Sequence, residues 1–229
     1  DIYLGRVRKI MPGLNAAFVN IGHEKDAFIH YLDLGNNYRS LKRIVDSYAP
    51  GKRPQRIESM KLEPELEREG RISDHLQVGQ TIMVQIAKEA ISTKGPRLTS
   101  DISLAGRNVV LVPFSNKVFV STKIRSNSAK KRLRKVAQEV LPPNFGVIIR
   151  TAAAEAEDID IMQDILSLIE RWNRALGALR KSEAPARLMS EMSRVNTIIR
   201  DSLNDTFSQI TVDDETMYNE IKSYVQVIK

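Results

Sequence analysis

Two phenylalanines and one lysine in the first hundred residues have side chains suited to binding nucleic acid. Phe18 and Phe28 each lie one strand position from a turn bounded by glycine, and Lys94 lies in the turn at 92–95. A ring on the outer face of a β-barrel lets a base stack, and a lysine at the rim neutralises a phosphate. The pattern predicts binding of single strands with little sequence preference, because every base has a π-face. Two core phenylalanines and an ordinary exposed turn lysine are the alternative interpretation.

Arg150 and Thr151 form a second candidate site at the end of an apolar segment that is typical of a buried strand. A guanidinium can donate two parallel hydrogen bonds, and a hydroxyl beside it adds a third polar contact, so the pair suits a terminal phosphate. An arginine at a strand end is more commonly a surface residue or the partner of a carboxylate. Spacing alone therefore leaves both interpretations open.

The other polar residues indicate neither a catalytic centre nor a metal site. The sequence has no cysteine, and its three histidines, His23, His30 and His75, are not spaced like zinc ligands. The acids at 158–160 and 213–214 could hold magnesium, but acids at the start of a helix explain them better. No Ser/His/Asp constellation is evident. We therefore predict a binding protein with no catalytic residue and no metal ligand in this chain.

Charge is distributed unevenly along the 229 residues, whose formal net charge is +7. Residues 101–150 contain 10 Lys or Arg and 2 Asp or Glu, whereas residues 151–229 contain 9 and 14. A basic middle beside an acidic end indicates a surface that binds a polyanion. A solvated basic helix face is the alternative.

The first hundred residues predict a small closed barrel of the OB type, because short apolar-polar strands alternate with glycine turns. The strands are expected at 3–10, 16–21, 27–30, 81–86 and 97–104. A polar stretch at 35–77 interrupts them, and we expect a partly mobile insertion with one or two short helices there.

After residue 108 the pattern becomes mixed α/β. Strands at 109–112 and 117–121 are predicted to pair around a turn, and Ser128 is expected to begin a basic helix that ends near Val140. A buried strand follows, and then a long helix with Trp172 on its apolar stripe. The last part predicts a strand at 207–212 between two helices, with Asp213 or Asp214 as a cap.

The sequence predicts a cytoplasmic location. No run approaches the roughly 20 apolar residues that span a bilayer. Asp1 leads directly into a strand-like segment, so we expect no signal peptide. The absence of cysteine suits a reducing compartment.

Two groups of segments resemble known families. Gly5-x-Val7 with 17–22 (AFVNIG) and 27–30 (AFIH) resembles the S1-type OB domain, which occurs in many RNA-binding proteins. The segments 92–107 (STKGPRLTSDISLAGR), 109–113 (VVLVP) and 146–152 (GVIIRTA) resemble the bacterial RNase E/G family. The resemblance covers essentially the whole chain.

The resemblance to RNase E/G implies an α+β fold. An S1-type OB barrel at 1–100 would be followed by an α/β 5′-sensor region at 101–190 and by part of an RNase H-like subdomain at 191–229. It implies an endoribonuclease that acts on single-stranded RNA in RNA processing and decay and prefers a 5′-monophosphate end. It also implies that the full-length protein is a homo-oligomer.

By matching position, the resemblance gives roles to individual residues. Three fall on the RNA-contacting positions of the S1-type domain: Phe18, Phe28 and Lys94. Four fall on the pocket for the 5′-monophosphate: Gly106, Val110, Arg150 and Thr151. Where the family pattern has a further arginine after the serine matched by Ser121, this chain has Thr122-Lys123, so Lys123 is the candidate cation.

The activity that the resemblance implies depends on Mg²⁺ held by carboxylates in a later catalytic subdomain. The Val-Asp-Val-Asn-Ser-Gly-like segment that would supply those carboxylates does not occur in the sequence. We therefore expect a fragment that binds RNA and senses its 5′ end but does not cleave alone. The alternative function is a non-catalytic S1-type RNA-binding adaptor.

Overall fold

The computed structural model describes residues 1–49, 51–190, 194–203 and 206–227. The chain divides into two compact units, residues 1–190 and residues 191–229. The first unit contains a barrel, an insertion and a second sheet with two helices. The described residues of the second unit form two helices.

Five strands of the first unit form the closed barrel that the sequence predicted. They are β1 (Ile2–Met11), β2 (Ala16–Asn20), β3 (Ala27–His30), β4 (Thr81–Lys88) and β5 (Arg97–Thr99). β1 pairs with β4 near its start and with β2 farther along, so the order β1-β2-β3-β5-β4 returns to β1. The OB-type barrel followed by an α/β region, in a mixed α+β fold, is confirmed.

Alternation of side chains along the strands positions the barrel core. In β2, Ala17 and Val19 are fully buried whereas Phe18 between them is partly exposed. Gly5 lies where β1 crosses this core, and a Cβ there would come within 2.5 Å of Val19 Cγ1. The barrel therefore closes only with a residue that has no side chain at this position.

The insertion is packed into the molecule and is not a peripheral excursion. It contains α1 (Tyr38–Ser47), and Ile44 of that helix is fully buried, as is Ile57 beyond it. Asn144 Nδ2 donates to the carbonyl oxygens of Ile57 and Met60 at 2.7 and 2.8 Å. The α-helix agrees with the expected one or two short helices. Its apolar side packs in the same core as the second sheet.

Four strands form the second sheet: β6 (Leu104–Ala105), β7 (Val109–Pro113), β8 (Val118–Val120) and β9 (Phe145–Ile149). Their order is β6-β7-β9-β8, so the predicted pairing of β7 with β8 was wrong. β9 lies between them, antiparallel to β7 and parallel to β8. The reason is the helix between β8 and β9, since a helical crossover joins parallel neighbours.

Two helices cover one face of this sheet. They are α2 (Asn127–Val140), which is the crossover, and α3 (Asp158–Leu179). Ser126 caps α2 in place of the predicted Ser128, because Ser126 Oγ accepts a hydrogen bond from Ala129 N at 3.2 Å. Trp172 is fully buried on α3, as its place on the apolar stripe predicted.

A strand that the sequence did not predict ends the first unit. β10 (Ala186–Met189) pairs antiparallel with the start of β1, and Leu188 is buried there. The chain thus returns from the second sheet to the barrel.

The second unit contains α4 (Arg194–Ser202) and α5 (Glu215–Val227). The strand predicted at 207–212 was wrong, because those residues form no regular structure. Asp214 is the predicted cap, since its Oδ1 accepts from Met217 N at 2.7 Å. None of the helices in the described part of the chain could span a lipid bilayer.

Candidate nucleic-acid interface

Phe18 and Phe28 are direct neighbours on the outside of the barrel. They face each other across β2 and β3, with ring centroids 5.9 Å apart and an angle of 71° between the ring planes. Both rings are partly exposed, and neither belongs to the apolar core inside the barrel. The structure therefore places them where a base could reach them.

Two cations continue the row of these rings across the barrel. Lys9 is the partner of Phe18 on β1, and Arg97 is the partner of Phe28 on β5. Lys9 is exposed, whereas Arg97 donates to both carboxylate oxygens of Asp33 at 2.9 and 3.0 Å. Hydrogen bonding to Asp33 raises the pKa of Arg97. The outer face thus combines aromatic and positively charged groups, the combination that binds single strands.

Lys94 lies at the tip of the hairpin between β4 and β5. Its backbone exchanges hydrogen bonds with Ile91, and its side chain is exposed. The neighbouring Gly95 packs so closely on the carbonyl oxygen of Asp26 that a Cβ would overlap it. Lys25 Nζ donates to Ser92 O at 3.1 Å. These contacts hold the tip against the loop that leads into β3, the strand of Phe28.

Arg150 is oriented by the backbone of the loop before β7. Its Nη1 donates to the carbonyl oxygen of Gly106 at 2.7 Å, and its own N donates to Asn108 O at 2.8 Å. The chain positions Arg150 and Gly106 together although 44 residues separate them. The guanidinium thus has a defined direction at the carboxyl end of β9, an inner strand of the second sheet.

The hydroxyl of Thr151 contacts that of Ser121 where the parallel strands β9 and β8 end. Thr151 Oγ1 lies 3.1 Å from Ser121 Oγ, and Ser121 N donates to Ile149 O at 2.9 Å. The Ser121 hydroxyl also accepts from Lys123 N at 3.4 Å, while the Lys123 side chain is exposed. Ser121 was not among the predicted site residues. The signal that could have identified it was its match to the serine of the family pattern, directly before the arginine position that Thr122-Lys123 replaces.

Asp164 of α3 supports the loop that holds Arg150. Its Oδ2 accepts hydrogen bonds from Asn108 N at 2.7 Å and from Val109 N at 3.2 Å. Burial raises the pKa of the Asp164 carboxyl, and the backbone donors and Arg150 act in the opposite direction. Gly106 is buried against this carboxylate, which occupies the space of a Cβ.

Val110 does not join the polar group around Arg150. It lies opposite Ile148 on the sheet and two residues after Asn108. Its side chain is partly exposed. The structure therefore brings Gly106, Arg150 and Thr151 together with Ser121. Val110 borders them as an apolar side chain.

Five of the ten basic residues at 101–150 lie on helix α2. Lys131, Arg134 and Lys135 are exposed on it, whereas Arg132 forms an ion pair with Asp158 at the start of α3.

The acids considered as metal ligands lie at helix starts. Asp158 and Asp160 occupy the first turn of α3, and Asp214 precedes α5. Within the described ranges, no three His, Asp or Glu side chains lie close enough together to hold a metal ion. The described residues therefore offer no fit for the implied Mg²⁺.

Comparison with known proteins gives one family and several relatives. Residues 103–229 match the model of the "Ribonuclease E/G family". The chain is 34% identical over 227 residues to ribonuclease E of a Nostoc species, covering 99% of this chain and 29% of that protein. It is 33% identical to ribonuclease G of Haemophilus influenzae and 31% identical to that of Escherichia coli. Each of these two matches covers 98% of this chain and 42% of the relative.

Proposed function

Because this chain belongs to the ribonuclease E/G family, we propose that it is the RNA-binding and 5′-sensing part of an endoribonuclease acting on single-stranded RNA. The observation that carries the proposal is the grouping of Arg150, Thr151 and Ser121 at the carboxyl ends of β8 and β9. The chain spans less than half the length of the relatives described above. The activity of the whole protein is therefore part of the proposal.

The barrel face would hold the body of the RNA. Phe18 and Phe28 offer adjacent ring surfaces to successive bases, and Lys9 and Lys94 attract the phosphates between them. Neither ring reads base edges, so this contact would favour an unpaired strand over a particular sequence.

The carboxyl ends of β8 and β9 would receive the 5′-terminal phosphate. The Ser121 and Thr151 hydroxyls can donate to its oxygens, and the Arg150 guanidinium brings a positive charge fixed by Gly106 O. Lys123, which is exposed two residues beyond Ser121, would add a mobile positive charge. A 5′-hydroxyl end lacks the dianion that these groups would bind.

Cleavage is proposed to belong to a part of the protein outside these residues. The carboxylate segment that the family resemblance assigns to Mg²⁺ is not in the sequence, and the implied metal finds no fitting cluster among the described residues. The ion would supply charge stabilisation at the scissile phosphate of the intact enzyme. We further propose that the intact enzyme is a cytoplasmic homo-oligomer that processes and degrades RNA.

The test compares RNA oligonucleotides that differ only at the 5′ end. The chain should bind a 5′-monophosphorylated oligonucleotide more tightly than its 5′-hydroxyl form, and both Arg150→Lys and Thr151→Val should reduce the ratio. Lys181→Ala, which removes an exposed cation beyond the end of α3, is the matched control. Equal affinity of the unaltered chain for both ends would contradict the sensing role. Mg²⁺-dependent cleavage by the chain alone would contradict the placement of the cleavage site elsewhere.

A further inference from the structure

The outer face of the second sheet carries a row of apolar side chains. Val110, Ile148 and Phe119 are direct neighbours on β7, β9 and β8. Phe119 is 56% exposed and Ile148 is 43% exposed, and Val110 is partly exposed. The three side chains therefore form one contiguous, exposed apolar patch on this face.

The direction of Phe119 is fixed by its neighbours along β8. Val118 and Val120 pack against the core beneath the sheet, so alternation turns the side chain between them outward. In the same way Ile149 is fully buried on β9, which turns Ile148 outward. The apolar row is therefore a property of two well-anchored strands.

This row lies on the same side of the sheet as the proposed phosphate site. Ser121 follows Phe119 by two residues on one strand, and Arg150 follows Ile148 by two residues on the next. Two residues along a strand span about 7 Å. That span is comparable to the separation of the 5′ phosphate and the base within one nucleotide. A phosphate at Arg150 and Ser121 would thus bring the attached base over Phe119.

We propose that Phe119, with Ile148 beside it, binds the 5′-terminal nucleobase and makes the sensor prefer a 5′-terminal purine. The inference rests on the proposed function, because it requires the phosphate at Arg150. Stacking on an aromatic ring grows with the area of the base, so adenine or guanine should be favoured over uracil or cytosine. No hydrogen bond to a base edge is needed.

The size and charge of the surroundings favour a base over a protein partner. A stable protein interface takes about 800 Å² from each side, well beyond three adjacent side chains. Lys117 and Lys123 are exposed on either side of Phe119 along the chain, and residues 101–150 have five times as many basic as acidic residues. A nucleotide matches both the small apolar area and the positive rim.

The experiment measures the affinity of the 229-residue chain for three 5′-monophosphorylated RNA oligonucleotides. They share one sequence but begin with adenosine, uridine or an abasic ribose. Phe119→Ala should weaken binding of the adenosine oligonucleotide by about 5- to 140-fold, the range for one lost stacking contact. It should leave the abasic oligonucleotide unchanged, whereas Phe119→Trp should keep the preference for adenosine.

Leu166→Ala is the control, since Leu166 is 52% exposed on α3, which covers the opposite face of the sheet. An equal loss for the adenosine and abasic oligonucleotides, or no loss for either, would overturn the proposal. A change of oligomeric state in Phe119→Ala without base dependence would assign this face to a protein contact instead. If preference for the 5′-phosphate persists while base dependence is absent, only this inference fails. If the unaltered chain does not distinguish the phosphate, both proposals fail together.

Discussion

Arg150 Nη1 donates a 2.7 Å hydrogen bond to the carbonyl oxygen of Gly106, a residue 44 positions earlier in the chain. The carboxylate of Asp164 packs against Gly106 and accepts from the backbone N–H groups of Asn108 and Val109. The candidate phosphate ligand is therefore positioned by a loop that is itself held by a helix. Disturbing the loop should move the guanidinium.

Gly106→Ala should destabilise the first unit by about 1–3 kcal/mol, because the added Cβ overlaps the Asp164 carboxylate in a packed region. Thermal unfolding followed by circular dichroism measures the change. Gly177→Ala is the matched control, since nothing lies within 4 Å of a Cβ at that helical position. It should raise stability by about 0.5–1 kcal/mol. Equal effects of the two substitutions would show that the close contact at Gly106 is unimportant.

Asp164→Asn should change how the free energy of unfolding depends on pH. Burial raises the pKa of the Asp164 carboxyl above its ordinary value of 3.8, so the folded state binds the proton more readily than the unfolded state. The favourable contribution is therefore fully present below pH 3.8 and is lost as pH rises through the raised pKa. The stability of the unaltered chain relative to Asp164→Asn should fall over that interval and then become constant.

Urea unfolding at several pH values, followed by the fluorescence of Trp172, measures this difference. Trp172 is suitable because it is the sole tryptophan and is fully buried. Asp160→Asn, which alters an exposed acid in the first turn of the same helix, serves as the control. A difference that grows with pH would contradict the direction given for Asp164.

Phe18→Ala and Phe28→Ala should each weaken binding of single-stranded RNA by about 1–3 kcal/mol. The double substitution should cost less than the two single costs together, because the rings contact each other at 5.9 Å and support one platform. Fluorescence anisotropy with a labelled oligonucleotide at fixed salt gives the affinities. Phe18→Tyr retains the ring and should bind normally. Strict additivity would indicate two independent contacts.

Lys94→Ala should weaken RNA binding to a similar degree for all sequences, because the side chain is exposed at the rim and is proposed to contact only phosphate. The slope of log affinity against log salt should become shallower by about 0.7, the value for one phosphate contact on a single strand. Affinities at four or more salt concentrations provide the slope. Lys181→Ala tests whether any exposed lysine has this effect. A loss confined to one oligonucleotide sequence would contradict a purely electrostatic role.

Local sequence determined much of this fold. Alternation of apolar and polar residues located the barrel strands, and helical spacing placed Trp172 in the core. These features depend on neighbours along the chain, which a pattern can detect. The resemblance added Arg150 and Thr151 as candidates that spacing alone left undecided.

Tertiary structure decided what depends on distant segments. The sequence could not show that β9 lies between β7 and β8, since strand order depends on the crossover and on which apolar faces meet. It could not show that Phe18 and Phe28 lie on the outside, because alternation specifies two faces without saying which one closes inward. The contact between Arg150 and Gly106 likewise arises only when β7 and β9 pair, so its geometry belongs to the folded chain.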